Sequence, residues 1–493
     1  MTRGFVPWTI FAVFAAYLAA PVLGWRATSH DGFDLAAFGR LPVAIGARVR
    51  PIDSVARMGL LQVRGTVDVP LAESAGRFQL GGSRLSATEW LLEVLVKPDV
   101  ADTRRVFPIG DPASLAKIHL QAAPAAAGYF TFKELAPRDA EIAKEAERIR
   151  KIDPANRAPW EKELFALRTR LVAYERLKNS LQANSLLQRE SKGAALQYDL
   201  SEQLATYRGE LADVGRLLVR RQRGTPEALD TQKAAAITGF ARPFAAVSRL
   251  SAIAMIPPAR PGDSRDGWKN AGAVIVDSAR TGRLPAPVTQ LAAITSAFAH
   301  GKPAVFNRLV NTYDQWLASN ALAPAVKRAR YEFFYNLLRP YARAVSLYLV
   351  ALLLAGASWR RRSATLHRSA LLVACLALSI HAVGLLLDMM LSGQLLIFSR
   401  LALLVVASWA LVAGALALER SSSGHGRALA AGACIGFLTL VGAHALAPGG
   451  ITLLVATVVD VPFMIAIAAA LLVLPLGRAR AIAVPAGAAP VPA

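Results

Sequence analysis

Long apolar runs stand at the two ends of the chain, with a charge-rich stretch of mixed pattern between them. The first run, Phe5–Trp25, is interrupted only by Pro7 and Pro21. Five more crowd the last third: Tyr341–Trp359, Ser369–Leu391, Leu395–Leu418, Ala428–Leu446 and Ile451–Leu476. About 20 residues rising 1.5 Å each cross a hydrocarbon core of about 30 Å. The pattern therefore predicts a mainly α, polytopic membrane protein of about six transmembrane helices. A large, mostly helical domain is inserted after the first of them. A cleaved signal peptide competes with a retained anchor for residues 1–25, since Arg3 and the small residues before Trp25 suit both.

The insert, residues 26–340, carries helical periodicity. Ser86-Ala87-Thr88-Glu89 is a capping box that opens the apolar run Trp90–Val96, and Pro98 stops it. Leu164, Leu167, Leu171, Tyr174, Leu177 and Leu181 form one stripe at three/four spacing. Leu196, Leu200, Leu204, Tyr207, Leu211, Val214 and Leu218 form another. A connection near Gln188–Gly193 would fold the two into an antiparallel hairpin within residues 161–223. Pro257-Pro258 through Asn270 reads as a loop. Residues 341–477 hold the last five spans, and the Ala/Pro-rich residues 478–493 read as a disordered cytoplasmic tail.

Charge orients this arrangement. Arg360–Arg362 and Arg368 follow the second run, Arg420 and Arg427 the fourth, and Arg478 and Arg480 the sixth, whereas the alternate short loops hold no Lys or Arg. The positive-inside rule then puts the N-terminus and every basic loop in the cytoplasm and the insert outside it. The net charge of +22 divides as +14 in Trp25–Pro340, +7 after residue 340 and +1 from Arg3. Outside the cytoplasm a basic face meets anionic lipid, acidic partners or haem propionates, or is simply a solvated surface, and nucleic acid is not an expected partner. Two cysteines, Cys375 and Cys434, exclude a disulfide framework, and no CxxCH attaches c-type haem to the chain. No GxGxxG, P-loop or HExxH is present.

Polar groups inside the spans are the candidate chemistry, because burying them in lipid is costly. His381 in the third span and His444 in the fifth fall within about 6 Å of the same depth at 1.5 Å per residue. Neutral imidazoles on facing helices can ligate haem iron, or each can satisfy a neighbouring helix. Asp460, two residues before Pro462, could orient a histidine or bond backbone groups freed by the proline. Cys375 and Cys434 share a depth and read as small apolar packing, with a redox pair as the alternative.

Two stretches resemble a known family. Leu41-Pro42-Val43 and Gly46 lead through Arg48-Val49-Arg50-Pro51-Ile52-Asp53-Ser54-Val55-Ala56-Arg57 to Leu60-Leu61 and Gly65. The second begins at Glu332-Phe333-Phe334-Tyr335-Asn336 and Arg339-Pro340-Tyr341. It continues at Ser379–Leu385, Ala417–Arg420, Gly436–Leu440 and Ala443-His444. In order, these are similar to the large cytochrome c biogenesis proteins of the CcsA/ResC-type haem-handling family, in which an anchor and a periplasmic domain precede a membrane domain. Departures accompany the likeness. Asp388-Met389-Met390 and Gly393–Phe398 replace a loop that carries Pro, Asn and Tyr in the family, and Ala468 or a neighbour stands where an external haem-ligating histidine is usual. The tryptophan-rich haem-presenting segment is not among these residues.

The resemblance implies a multi-pass protein of the bacterial inner membrane with its large domain in the periplasm. It would serve c-type cytochrome biogenesis by handling haem or docking apocytochrome. The other assembly subunits would be its partners, one of them supplying the tryptophan-rich segment, and the chain alone would not be a complete haem lyase. Haem would be held by His381 and His444, with Asp460 behind them. A membrane-anchored periplasmic scaffold that binds no haem is the alternative.

Overall fold

The computed structural model describes residues 5–24, 30–46, 48–71, 84–121, 128–182, 184, 199–222, 231–258, 267–392, 400–421 and 426–446. The described chain is mainly helical and divides into two compact units, Arg26–Phe333 and the pair of segments Met1–Trp25 and Phe334–Ala493.

In the unit formed by the two ends, α1 (Phe5–Gly24) is joined by α12 (Pro340–Arg361), α13 (Ala364–Ser392), α14 (Arg400–Ser421) and α15 (Arg427–Leu446). Four helical stretches are long and apolar enough to cross a membrane: Ala323–Arg361, Ala364–Ser392, Leu401–Ser421 and Arg427–Leu446. The apolar part of α1, Phe5–Pro21, is shorter, and the run expected at Ile451–Leu476 lies outside the described residues. Helix α12 packs along both α13 and α15, α14 packs on α15, and α1 on α13. Small residues allow close approach. A Cβ on Gly384 would stand 2.8 Å from the ring of Tyr341, and one on Gly436 2.9 Å from that of Tyr348. Leucines such as Leu353, Leu403, Leu411 and Leu438 point outward and are about half exposed.

The other unit has one hydrophobic core that extends from Phe33 to Val326. Helices dominate, but three short antiparallel pairs that the periodicity did not announce also occur. They are β1 (Pro42–Ile45) with β2 (Arg48–Pro51), β3 (Asp68–Pro70) with β4 (Arg84–Ser86), and β5 (Arg105–Pro108) with β6 (Tyr129–Thr131). Gly46 turns the first hairpin at φ 57. Between the strands run α2 (Ile52–Arg64) and α3 (Ala87–Val96). The Ser86 hydroxyl accepts from Glu89 N at 3.2 Å at the start of α3. Helix α3 ends before Pro98, which opens a new short helix.

Beyond β6 come α4 (Asp139–Arg150), α5 (Pro159–Lys178), α6 (Leu200–Gln222), α7 (Phe244–Leu250), α8 (Ala271–Thr281), α9 (Ala286–Ala299), α10 (Pro303–Leu317) and α11 (Ala323–Leu338). Both leucine stripes lie on helices, α5 and α6, and the hairpin connection near Gln188–Gly193 lies outside the described residues. Among the described residues the two stripes pack chiefly on other elements. Helix α5 buries Leu164, Leu167, Leu171 and Tyr174 chiefly against α2, α3 and α4, whereas α6 packs on α9. The α5 stripe meets Trp90 and Phe107 through Tyr174, and the α6 stripe meets Phe240 through Tyr207, with Phe244 beyond it.

Candidate functional site: a buried polar ladder among the apolar helices

Helices α12 and α13 run antiparallel, and each carries polar or aromatic groups seven residues apart. Tyr341 and Tyr348 lie on α12, and His381 and Asp388 on α13. Seven residues make nearly two turns and about 10 Å of rise, so equal spacing on antiparallel partners pairs them as rungs. In the outer rung the Tyr341 hydroxyl donates to Asp388 Oδ2 at 2.7 Å, and Tyr335 faces the same carboxylate. In the inner rung Tyr348 Oη lies 3.2 Å from His381 Nδ1. The rings of Tyr341 and Tyr348 meet the imidazole edge-on, at 84° and 78°, with centroids 5.7 and 6.0 Å away. The two glycine contacts described above let these rings come close to neighbouring backbone.

His381 is fully buried, and its Nε2 makes no hydrogen bond of ordinary geometry, facing instead the backbone of Val405 on α14. His444 on α15 is half-buried, with Nδ1 2.8 Å from the Leu440 carbonyl of its own helix. No hydrogen bond or ring contact joins the two imidazoles among the described residues. Asp460 lies outside the described residues. Cys375 is exposed and Cys434 half-buried, both as free thiols.

Haem would require a ring nitrogen with its lone pair directed at iron and a slot for the macrocycle. The donor chemistry is present at His381 Nε2. The backbone of α14 at Val405 lies beside this imidazole.

The other unit joins the two stretches that carried the resemblance. Asp53 at the start of α2 receives Arg57 Nε at 2.7 Å and the Thr88 hydroxyl at 3.3 Å. Gly39 fits between Asp53 and Phe333, where a Cβ would stand 3.3 Å from an atom of each. Arg50 reaches Glu332 at 3.7 Å. Residues near position 50 and near position 332 thus form one local assembly, buried at Asp53.

Tyr348 and Asp388 enter the site beside the histidine that the apolar run makes conspicuous. The shared seven-residue spacing in two consecutive apolar runs is the signal that finds them. No protein-family model matches the chain, and no curated protein matches it.

Proposed function

We propose that this protein is a membrane component of c-type cytochrome biogenesis that works with partner subunits, its larger unit docking apocytochrome or another assembly subunit at the periplasmic face. The observation that carries the reading is the meeting of Arg50 with Glu332. The two motif stretches are far apart in sequence, and chance likenesses would have no reason to share one contact. In this reading six spans cross the inner membrane, the basic loops face the cytoplasm, and residues 26–340 face the periplasm. A cysteine placed near Arg189 should then react with impermeant reagent from outside only.

A second form of the reading has His381 bind haem, and the unsatisfied Nε2 favours it. Bound there, haem would bring an iron centre able to take an imidazole nitrogen. Tyr348 would hold the Nδ1 proton and fix the ring's orientation.

The deciding experiment removes the protein from its host and stains membranes for covalently bound haem. Loss of c-type cytochromes supports the biogenesis role, and unchanged levels overturn it. A Soret band in the purified chain that His381→Ala abolishes assigns haem to this site, and its absence leaves the scaffold form.

A further inference from the structure

The ends of four helices converge at the pole of the bundle opposite the Tyr341–Asp388 rung. Gly426, just before α15, lies where a Cβ would be 3.0 Å from Ser358 on α12 and 3.6 Å from His367 on α13. Glu419 near the end of α14 accepts from Gly426 N at 2.7 Å and Leu429 N at 3.1 Å. The guanidinium of Arg427 sits 5.5 Å over the ring of Trp359. These contacts place the C-terminal ends of α12 and α14 beside the N-terminal ends of α13 and α15.

This pole carries Arg360, Arg361, Arg362, Arg368, Arg420 and Arg427, all exposed. Among the described residues none of the six has an acidic partner. The one acid here, Glu419, is buried and already committed to two backbone N–H groups, with His367 Nε2 3.8 Å away. The six guanidinium groups are therefore exposed and, among the described residues, not neutralised by an acid. Arg362 is held at φ 45, a left-handed conformation that costs an ordinary side chain energy and turns the chain sharply after α12. Trp359 is 54% exposed and lies where the apolar, outward-facing leucines give way to the arginines. An indole at such a boundary suits the level of lipid headgroups.

The geometry points to a binding site for the phosphates of acidic phospholipids at this pole, built from the six arginines and anchored by Trp359. It rests on the membrane reading above. Arginine suits the ligand because its planar fork donates in pairs to phosphate oxygens. The leucine band below would hold the acyl chains of the same molecule. A lipid thus satisfies the apolar and cationic parts together, whereas free phosphate would use only the second.

The test uses the full chain reconstituted into vesicles of phosphatidylcholine alone or with a minor fraction of phosphatidylglycerol, with co-flotation scored first. Lipid retained by the purified protein is then counted by native mass spectrometry. Phosphatidylglycerol should be retained in clear preference, and each Arg→Gln at 360, 362, 420 or 427 should weaken that preference roughly fivefold. Inorganic phosphate should not displace the lipid. Melting in phosphatidylcholine alone should be unchanged by the substitutions, separating lost lipid from lost fold. Equal retention of the two lipids, a preference that survives in the variant carrying all four Arg→Gln substitutions, or displacement by phosphate would each overturn the site while the chain still floats with vesicles. Failure to float with neutral vesicles would sink the membrane reading, and this site with it.

Discussion

Lys178, at the end of α5, is 1% exposed, an unusual place for an ammonium group. Its Nζ lies 2.7 Å from Asp102 Oδ2 and 4.6 Å above the ring of Phe132, while the Tyr174 hydroxyl donates to Asp102 Oδ1 at 2.9 Å. At an effective dielectric of about 20 the gross attraction at this separation is about 6 kcal/mol, most of which offsets desolvation of the two charges. Lys178→Met keeps the volume but leaves Asp102 charged and buried without its ammonium partner. That substitution should cost about 3–5 kcal/mol, and Asp102→Asn a similar amount. The double variant should recover more than half of the combined loss, because neither charge is then stranded. Native-state hydrogen exchange on amides of α3 and α5 reads the effect in the intact chain. Protection should fall by about two to nearly four decades in each single variant. Single costs below about 1 kcal/mol, or a double variant equal to the sum of the singles, would refute the pairing argument.

Tyr174 is held well above the ordinary tyrosine value of 10.0, first by burial, then by the charge of Asp102 and by its hydrogen bond to it. The folded state keeps a proton that the unfolded chain releases, so this contribution is whole below pH about 10 and is lost as pH rises toward the folded-state value. Alkaline melting curves should show a shallower decline in Tyr174→Phe than in the parent. Gly272 opens α8 against α7, where a Cβ would stand 2.5 Å from Ser248 N and 2.6 Å from the Phe244 carbonyl. Since backbone cannot swing aside, Gly272→Ala should destabilise the larger unit by about 1–3 kcal/mol, measurable by urea titration of exchange protection in α8. Among the apolar helices, Tyr348→Phe keeps the ring but removes the hydroxyl from His381, and thermal melting in detergent should show a loss of about 1 kcal/mol.

Periodicity located the helices well and their partners poorly. The Leu164–Leu181 stripe announces an apolar face, but nothing in three/four spacing says which surface will cover it. The nearest stripe in sequence stands on α6, yet α5 packs on α2, α3 and α4. The strands escaped notice because each spans only three or four residues, too few for alternation to stand out. Lys178 stands in the last turn of α5, where a cation favours the helix dipole, so its position in the sequence does not announce burial. Only the fold brings Asp102 beneath it. In the apolar helices the opposite held: a histidine in a hydrophobic run is conspicuous by itself, and His381 is indeed buried. His444 was equally conspicuous, but bonds its own helix, because an exposed flank lets the ring turn back to the Leu440 carbonyl.

The tautomer of His381 ties the ladder to function. A hydroxyl can donate or accept, so Tyr348 is compatible with either nitrogen carrying the proton. If Tyr348 donates to Nδ1, Nε2 carries the hydrogen and faces the backbone of Val405, and the ring is a packing element between α12 and α14. If Nδ1 carries the hydrogen and Tyr348 accepts it, Nε2 turns a bare lone pair toward α14. That arrangement is favourable only when a cation or donor takes the place of the backbone there. The described packing, with Val405 opposite Nε2, suits the first state. Reaching the second requires α14 to move away from α13, and α13 meets α14 far less closely than it meets α12. A cofactor entering there would displace the weaker of the two helix contacts and leave the Tyr348 hydrogen bond intact. In the proposed haem-binding form the same side chains would serve a ligand-bearing bundle, and the position of α14 would separate it from the closed scaffold.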